Sequence, residues 1–266
     1  MNTILKMHGL GNDFIILDHQ KGEAPPPTET IKALSDRAGK YGGCDQLIVL
    51  ERPQNDYADI FMRIYNQDGT EARACGNATR CVAHDFFEKT GEDRLTIETV
   101  AGLLACRKAG ADMVSVDMGT PGVDWADIPL VREMDTLKLP IKYKTYGAPT
   151  AVSIGNPHCV FFVADCEAVD LEADGKPMET HEFFPNRTNV EFVTVKGRDR
   201  IHMRVWERGA GITKACGTGA CASVVAAIRR GLTDHYVTVT LDGGDLHIEW
   251  DPKNGRVFMT GPAAYV

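Results

Sequence analysis

The chain has 266 residues, 43% of them hydrophobic and 25% charged, which suits one large globular domain or two of about 130 residues and excludes disorder or fibre. No apolar run approaches the roughly 18 residues of a membrane-spanning helix and no signal-type apolar region follows Met1, so the expected compartment is the cytoplasm, with no membrane partner. A formal charge of -8 argues against a nucleic-acid partner, because binding a phosphate backbone depends on clustered Lys and Arg; a small-molecule substrate is expected instead.

Alternating or β-branched segments predict strands over Thr3 to Met7, Phe14 to Asp18, Gln46 to Glu51, Ile60 to Asn66, Leu95 to Thr99 and Met113 to Met118. Two helices interrupt them. One follows Pro25-Pro26-Pro27 and covers Glu29 to Ala38; the other starts just after Cys75 and ends at Gly91. The Gly- and Pro-rich stretch 119 to 149 reads as a domain boundary region. Beyond it, strands are expected at His158 to Val163, Asn189 to Val195 and Ile201 to Glu207, then a helix over Gly217 to Arg230 closed by Gly231. Strands at Tyr236 to Leu241, Leu246 to Trp250 and Val257 to Thr260 complete the series.

The second half repeats the first. A shift of 141 residues lays Met62-Arg63-Ile64-Tyr65-Asn66 on Met203-Arg204-Val205-Trp206-Glu207 and Arg73-Ala74-Cys75-Gly76-Asn77 on Lys214-Ala215-Cys216-Gly217-Thr218, 16 positions without a gap. A shift of 144 lays Gly11-Asn12 on Gly155-Asn156. The chain therefore reads as a tandem duplication of one domain.

Eight cysteines in a chain with an adequate core belong to a reducing compartment, and none stand at C-x-x-C spacing, so most read as buried small hydrophobes and no metal is expected. Cys75 and Cys216 differ, since each precedes a Gly at an equivalent loop-to-helix transition. A helix N-terminus lowers a cysteine pKa and offers N–H groups to a carboxylate. Duplicated domains facing one another would place the two thiols on opposite sides of one ligand atom. Inversion of a stereocentre needs an acid and a base on opposite faces of one carbon, and two interchangeable thiols suit it. No Gly-rich phosphate loop of Walker or Rossmann type is present, so no cofactor is expected.

At these residues the sequence resembles the diaminopimelate epimerase family along essentially its whole length. The resemblance rests on Lys6-Met7-His8-Gly9-Leu10-Gly11-Asn12-Asp13-Phe14, Cys44-Asp45-Gln46, and Tyr65-Asn66-Gln67-Asp68-Gly69 leading to Ala74-Cys75-Gly76-Asn77-Ala78-Thr79-Arg80-Cys81. In the second half it rests on Gly155-Asn156-Pro157-His158, Thr188-Asn189-Val190-Glu191-Phe192, and Trp206-Glu207-Arg208-Gly209 leading to Ala215-Cys216-Gly217-Thr218-Gly219-Ala220-Cys221.

That resemblance implies an α+β fold of two homologous, pseudo-symmetric domains, each a mixed, mostly antiparallel sheet or barrel around a central helix, with the active site in the cleft between them. The expected domains are residues 1–118, joined by 261–266, and residues 119–260. It implies a cofactor-independent isomerase, working as a homodimer, that interconverts LL- and meso-2,6-diaminopimelate for lysine and cell-wall synthesis. Cys75 and Cys216 become the acid/base pair, with His158 and Glu207 tuning them; Glu207 also replaces the neutral Asn66 of the first half. Gly76, Asn77, Gly217 and Thr218 would hold the reacting carboxylate. Arg208 would grip the distal one with Asn66, Asn156 and Asn189, Glu207 would accept the distal ammonium, and Asn12 and Gln46 would line the pocket. A proline racemase or hydroxyproline epimerase is the nearest rival, and a thiol redox or metal-binding protein is a rival from another class.

Overall fold

The computed structural model describes residues 4–73 and 75–266. Thr3, part of the first expected strand, and Ala74, part of the repeated Ala-Cys-Gly motif, lie outside the described residues. The chain divides into two compact units, one ending at Asp117 and regained by Thr260–Val266, the other spanning Met118–Met259.

In the first unit the order is β1 (Leu5–Gly9), β2 (Asn12–Asp18), α1 (Thr28–Ser35), β3 (Gln46–Glu51), β4 (Ile60–Asn66), β5 (Glu71–Ala72), α2 (Gly76–Thr90), β6 (Arg94–Thr99), β7 (Gly102–Lys108) and β8 (Met113–Asp117). Along the series the pairings alternate: β1/β2 antiparallel, β2/β3 parallel, β3/β4 antiparallel, β4/β6 parallel, β6/β7 antiparallel. A parallel pair cannot be closed by a tight turn, and α1 and α2 supply the two crossovers. Only two residues, Leu10 and Gly11 with φ of 56° and 80°, join β1 to β2. Such a turn needs positive φ at both positions, which is the reason for glycine before Asn12. Buried from Asn77 through Asp85, α2 packs on β1, β6, β7 and β8 and forms the centre of the unit.

The second unit repeats the plan with β9 (Thr150–Ser153), β10 (Pro157–Phe162), α3 (Leu171–Glu179), β11 (Asn189–Val195), β12 (Arg200–Glu207), β13 (Gly211–Ile212), α4 (Gly217–Arg229), β14 (Tyr236–Leu241) and β15 (Gly244–Trp250). Pairings follow the same alternation: β9/β10 antiparallel, β10/β11 parallel, β11/β12 antiparallel, β12/β14 parallel, β14/β15 antiparallel. Rich in Ala and Val and buried on nearly every side, α4 takes the central place against β9 to β12, β14 and β15. β16 (Val257–Pro262) leads out of this unit, and β17 (Ala264–Tyr265) pairs with β1. The expected two-fold repeat of a mixed, mostly antiparallel sheet about a central helix is thus the observed architecture.

Some elements differ from the sequence reading. Stretch 119–149, read as a domain boundary region, follows the division between the units and belongs to the second, where Ile128, Leu130, Leu139 and Ile141 are buried in the core with Phe161 and Phe192. α1 stops at Ser35 rather than Ala38, because Asp36 is extended at φ -67°, ψ 119°. β7, β9 and α3 were not anticipated. α3 starts where Asp170 accepts the N–H of Ala173 at 3.0 Å, and it holds Gly175 and Pro177, which disguise a helix in sequence. Gly175 is there for contact, since a Cβ would lie 2.4 Å from the Trp206 Cβ. Gly175→Ala is expected to destabilise by about 1–3 kcal/mol through overpacking; an unchanged denaturation midpoint would overturn that account. No helix among the described residues is long and apolar enough to cross a membrane.

Candidate active site

In the first unit Cys75 is the N-cap of α2, extended at φ -150°, ψ 109°, and its carbonyl accepts from the Thr79 N–H at 3.0 Å. Helix geometry leaves the N–H groups of Gly76 and Asn77 without an intrahelical acceptor. The side chains around them are tied to the protein. Asn12 Oδ1 accepts from Cys75 Sγ at 3.9 Å and from Asn77 Nδ2 at 3.2 Å, while Asn12 Nδ2 donates to Asp45 at 2.9 Å. Asn77 Oδ1 accepts from the wholly buried Arg80 at 2.9 Å. Gln46 and Asn66 are register partners, and Gln46 Nε2 donates to Asn66 Oδ1 at 3.0 Å.

In the second unit Cys216 is the N-cap of α4 at φ -124°, ψ 108° and only 5% exposed. The Gly219 N–H donates to its sulfur at 3.4 Å, and Thr218 Oγ1 lies 3.6 Å away. Asn156 Nδ2 donates to Thr218 Oγ1 at 3.4 Å. The His158 ring joins Asn156 Oδ1 through Nε2 at 3.0 Å and Glu191 Oε1 through Nδ1 at 2.6 Å. His158 and Glu191 are both fully buried. Glu207 accepts from the Thr213 hydroxyl. Gly155, with φ of 81°, repeats Gly11 and sets Asn156 as Gly11 sets Asn12.

The two distal candidates are placed differently. Asn189 is buried and uses its amide on the protein, donating to Pro157 O at 3.0 Å and accepting the Arg208 N–H at 2.9 Å, so it fixes the Arg208 backbone. The Arg208 guanidinium is exposed and donates to Asn186 O at 3.2 Å.

The electrostatics correct one expectation. Cys216 is not lowered by its helix N-terminus: burial pushes the thiol well above its ordinary value, the charges of Glu207 and Glu191 push the same way, and Thr218 and the Gly219 N–H do not offset them. Burial also raises the carboxyls of Glu207 and Glu191, against the hydrogen bond from Thr213 on the first and the charge of His158 on the second. Elsewhere burial lifts the Cys81 and Cys106 thiols to about 12, as befits inert core cysteines.

Sequence reasoning missed Glu191, Thr213 and Gly219. Glu191 sits within a quoted motif, but a carboxylate in a strand ordinarily faces water.

A family model described as diaminopimelate epimerase matches residues 4–123 and 150–266. A diaminopimelate epimerase of Rhodospirillum centenum is 51% identical over 264 residues, covering 99% of this chain and 90% of that one. One of Rhizorhabdus wittichii is 52% identical over 267 residues, covering 98% and 92%. Among solved structures, a hydroxyproline epimerase from Agrobacterium vitis with bound trans-4-hydroxy-L-proline has a TM-score of 0.68 at 14% identity, covering 99% of this chain and 88% of that one. A Bacillus anthracis phenazine biosynthesis protein of the PhzF family scores 0.68 at 16%, covering 99% and 96%. These two likenesses are of fold alone. With the family model covering nearly the whole chain and relatives half identical to it, the chain belongs to the diaminopimelate epimerase family.

Proposed function

We propose that this isomerase interconverts LL- and meso-2,6-diaminopimelate, with Cys75 and Cys216 acting as acid and base on opposite faces of one α-carbon. The observation that carries the proposal is the recurrence of a thiol as the N-cap of the central helix in both copies of a duplicated unit. A thiolate takes the α-proton, the C–H electron pair moves towards the carboxylate, and the other thiol delivers its proton to the opposite face. One thiolate and one thiol remain, with their places exchanged, so the reaction balances without an oxidant or a further reactant.

The carboxylate would be held by first-turn N–H groups of Gly76 and Asn77 and of Gly217 and Thr218, donors that grow more favourable as its charge develops. Burial and the neighbouring carboxylates favour the protonated form of Cys216, which is therefore the resting acid of the pair. Exposed Arg208, with Asn66 and Asn156, would take the distal carboxylate, and Glu207 would receive the distal ammonium. A cyclic monocarboxylate offers Arg208 nothing to bind, which disfavours proline or hydroxyproline as substrate. Assembly as a homodimer and a cytoplasmic location complete the reading; light scattering at twice the chain mass tests the former.

The function is tested with reduced, metal-free protein in deuterated water. Deuterium is expected at the reacting α-carbon of LL-diaminopimelate, with appearance of the meso isomer, and none is expected in L-proline. Turnover of L-proline with diaminopimelate left intact would reverse the assignment.

A further inference from the structure

The duplication provides an internal control for the second half-site. Strand register equates His158 with Phe14, since each pairs with the first residue of the next strand, Asn189 or Gln46. Register likewise equates Glu191, between Val160 and Val205, with Ile48, between Ile16 and Ile64. Phe14 and Ile48 are fully buried apolar residues. The pair His158 and Glu191 is therefore an addition to the second copy and not a requirement of the fold. On the helix above it, Gly219 stands at the position of the fully buried Ala78 of the first copy. A Cβ on Gly219 would lie 2.9 Å from Glu191 Oε1 and 3.2 Å from Cys216 Sγ. The missing side chain makes room for a carboxylate beside the thiol.

Hydrogen-bond polarity says what the pair does. Asn156 Nδ2 donates to Thr218, so Asn156 Oδ1 faces His158 and can only accept; Nε2 therefore carries a hydrogen. Nδ1 and Glu191 Oε1 share one proton over 2.6 Å, and Glu191 Oε2 has no hydrogen-bond partner among the described residues. Thr218, already accepting from Asn156, has its own hydroxyl hydrogen left to donate to Cys216 Sγ.

We propose that Glu191 is a positioning residue for Cys216: by holding His158 through Nδ1, it fixes the sense of a chain running from His158 Nε2–H to Asn156 to Thr218 and ending as a donor on the sulfur. This rests on the reading of Cys216 as one of the two acid–base thiols. The titratable groups near Glu191 are His158 and Cys159 on β10, Glu207 at the end of β12 and Cys216 at the start of α4. A neutral imidazole without a partner at Nδ1 exchanges tautomers, and each exchange would turn the chain around.

The test combines diaminopimelate kinetics with nitrogen-15 spectra of His158, assigned against His158→Gln. Glu191→Leu is expected to lower kcat about 100-fold with KM little changed, and to replace the single Nε2-protonated ring by a tautomer mixture. Glu191→Gln can donate its amide to Nδ1, so it should keep Nε2 protonated and hold kcat within about tenfold of the parent, the worth of one altered hydrogen bond. Gly219→Ala drives the carboxylate off His158 and should reproduce the Leu spectrum; because its Cβ also meets Cys216 Sγ, this variant is read by the spectrum and not by kcat. It also decides the matter if Glu191→Leu does not fold. Parental kcat in Glu191→Leu, or equal losses in the Leu and Gln variants with Nε2 protonated in both, would overturn the proposal. A Cys216→Ala variant that still epimerises would instead sink the thiol reading, whatever the spectra show.

Discussion

Cys75→Ala and Cys216→Ala are each expected to lower kcat/KM for epimerisation by about three orders of magnitude, the middle of the range for a lost acid or base. The two-thiol mechanism adds a sharper signature. With one thiol left, its thiolate can remove the α-proton, exchange it with solvent and return it to the same face. Each single variant should therefore label one isomer of the substrate with retention of configuration while failing to invert it, and the two variants should select opposite isomers. The double variant should do neither. Mass spectrometry for deuterium and chiral chromatography for configuration separate the outcomes. A single variant epimerising at more than about a tenth of the parental rate would exclude an obligatory role for the thiol it lacks.

Glu207→Gln should move the alkaline limb of kcat/KM to lower pH and reduce kcat about 100-fold. The sign follows from the surroundings of Cys216. Burial raises its pKa first and the Glu207 carboxylate second. As the resting acid it must keep its proton, so activity fails on the alkaline side when the thiol ionises. Removing the carboxylate's negative charge makes the thiolate less costly, and ionisation comes earlier; burial continues to hold the limb above that of an ordinary thiol. Because the two thiols exchange one proton during turnover, the apparent values belong to the pair. An alkaline limb that stays in place in Glu207→Gln would show that the carboxylate does not tune the thiol.

Much of this was legible in the sequence, and for a physical reason. The strand Gln46 to Glu51 carries an unbroken apolar run, Leu47 to Leu50, because both its faces are covered. The Ala-Cys-Gly repeat marks two helix starts because a chain entering a helix needs small residues and open N–H groups there. What escaped depends on packing between distant segments. α3 carries Gly175 and Pro177, and only its fit against Trp206 explains why a helix forms across them. Glu191 reads as a surface carboxylate until β10 places His158 over it and α4 leaves room at Gly219. The expected lowering of the Cys216 pKa failed likewise, since the helix terminus was visible in sequence and the burial of the thiol among carboxylates was not.

The return of Thr260–Val266 to the first unit bears on how the protein is made. β17 pairs with β1, Ala263 N–H bonds to Asp112 O, Val266 N–H bonds to Lys6 O, and the buried Arg80 donates to Pro262 O at 3.2 Å. On the ribosome the second unit is therefore synthesised in full before the first can be closed, reversing the usual order in which the N-terminal domain is finished first. Until then β1 lacks its β17 neighbour, and the Cys75 helix, anchored through Arg80, lacks its last tie. The half-site made first is the last to be completed.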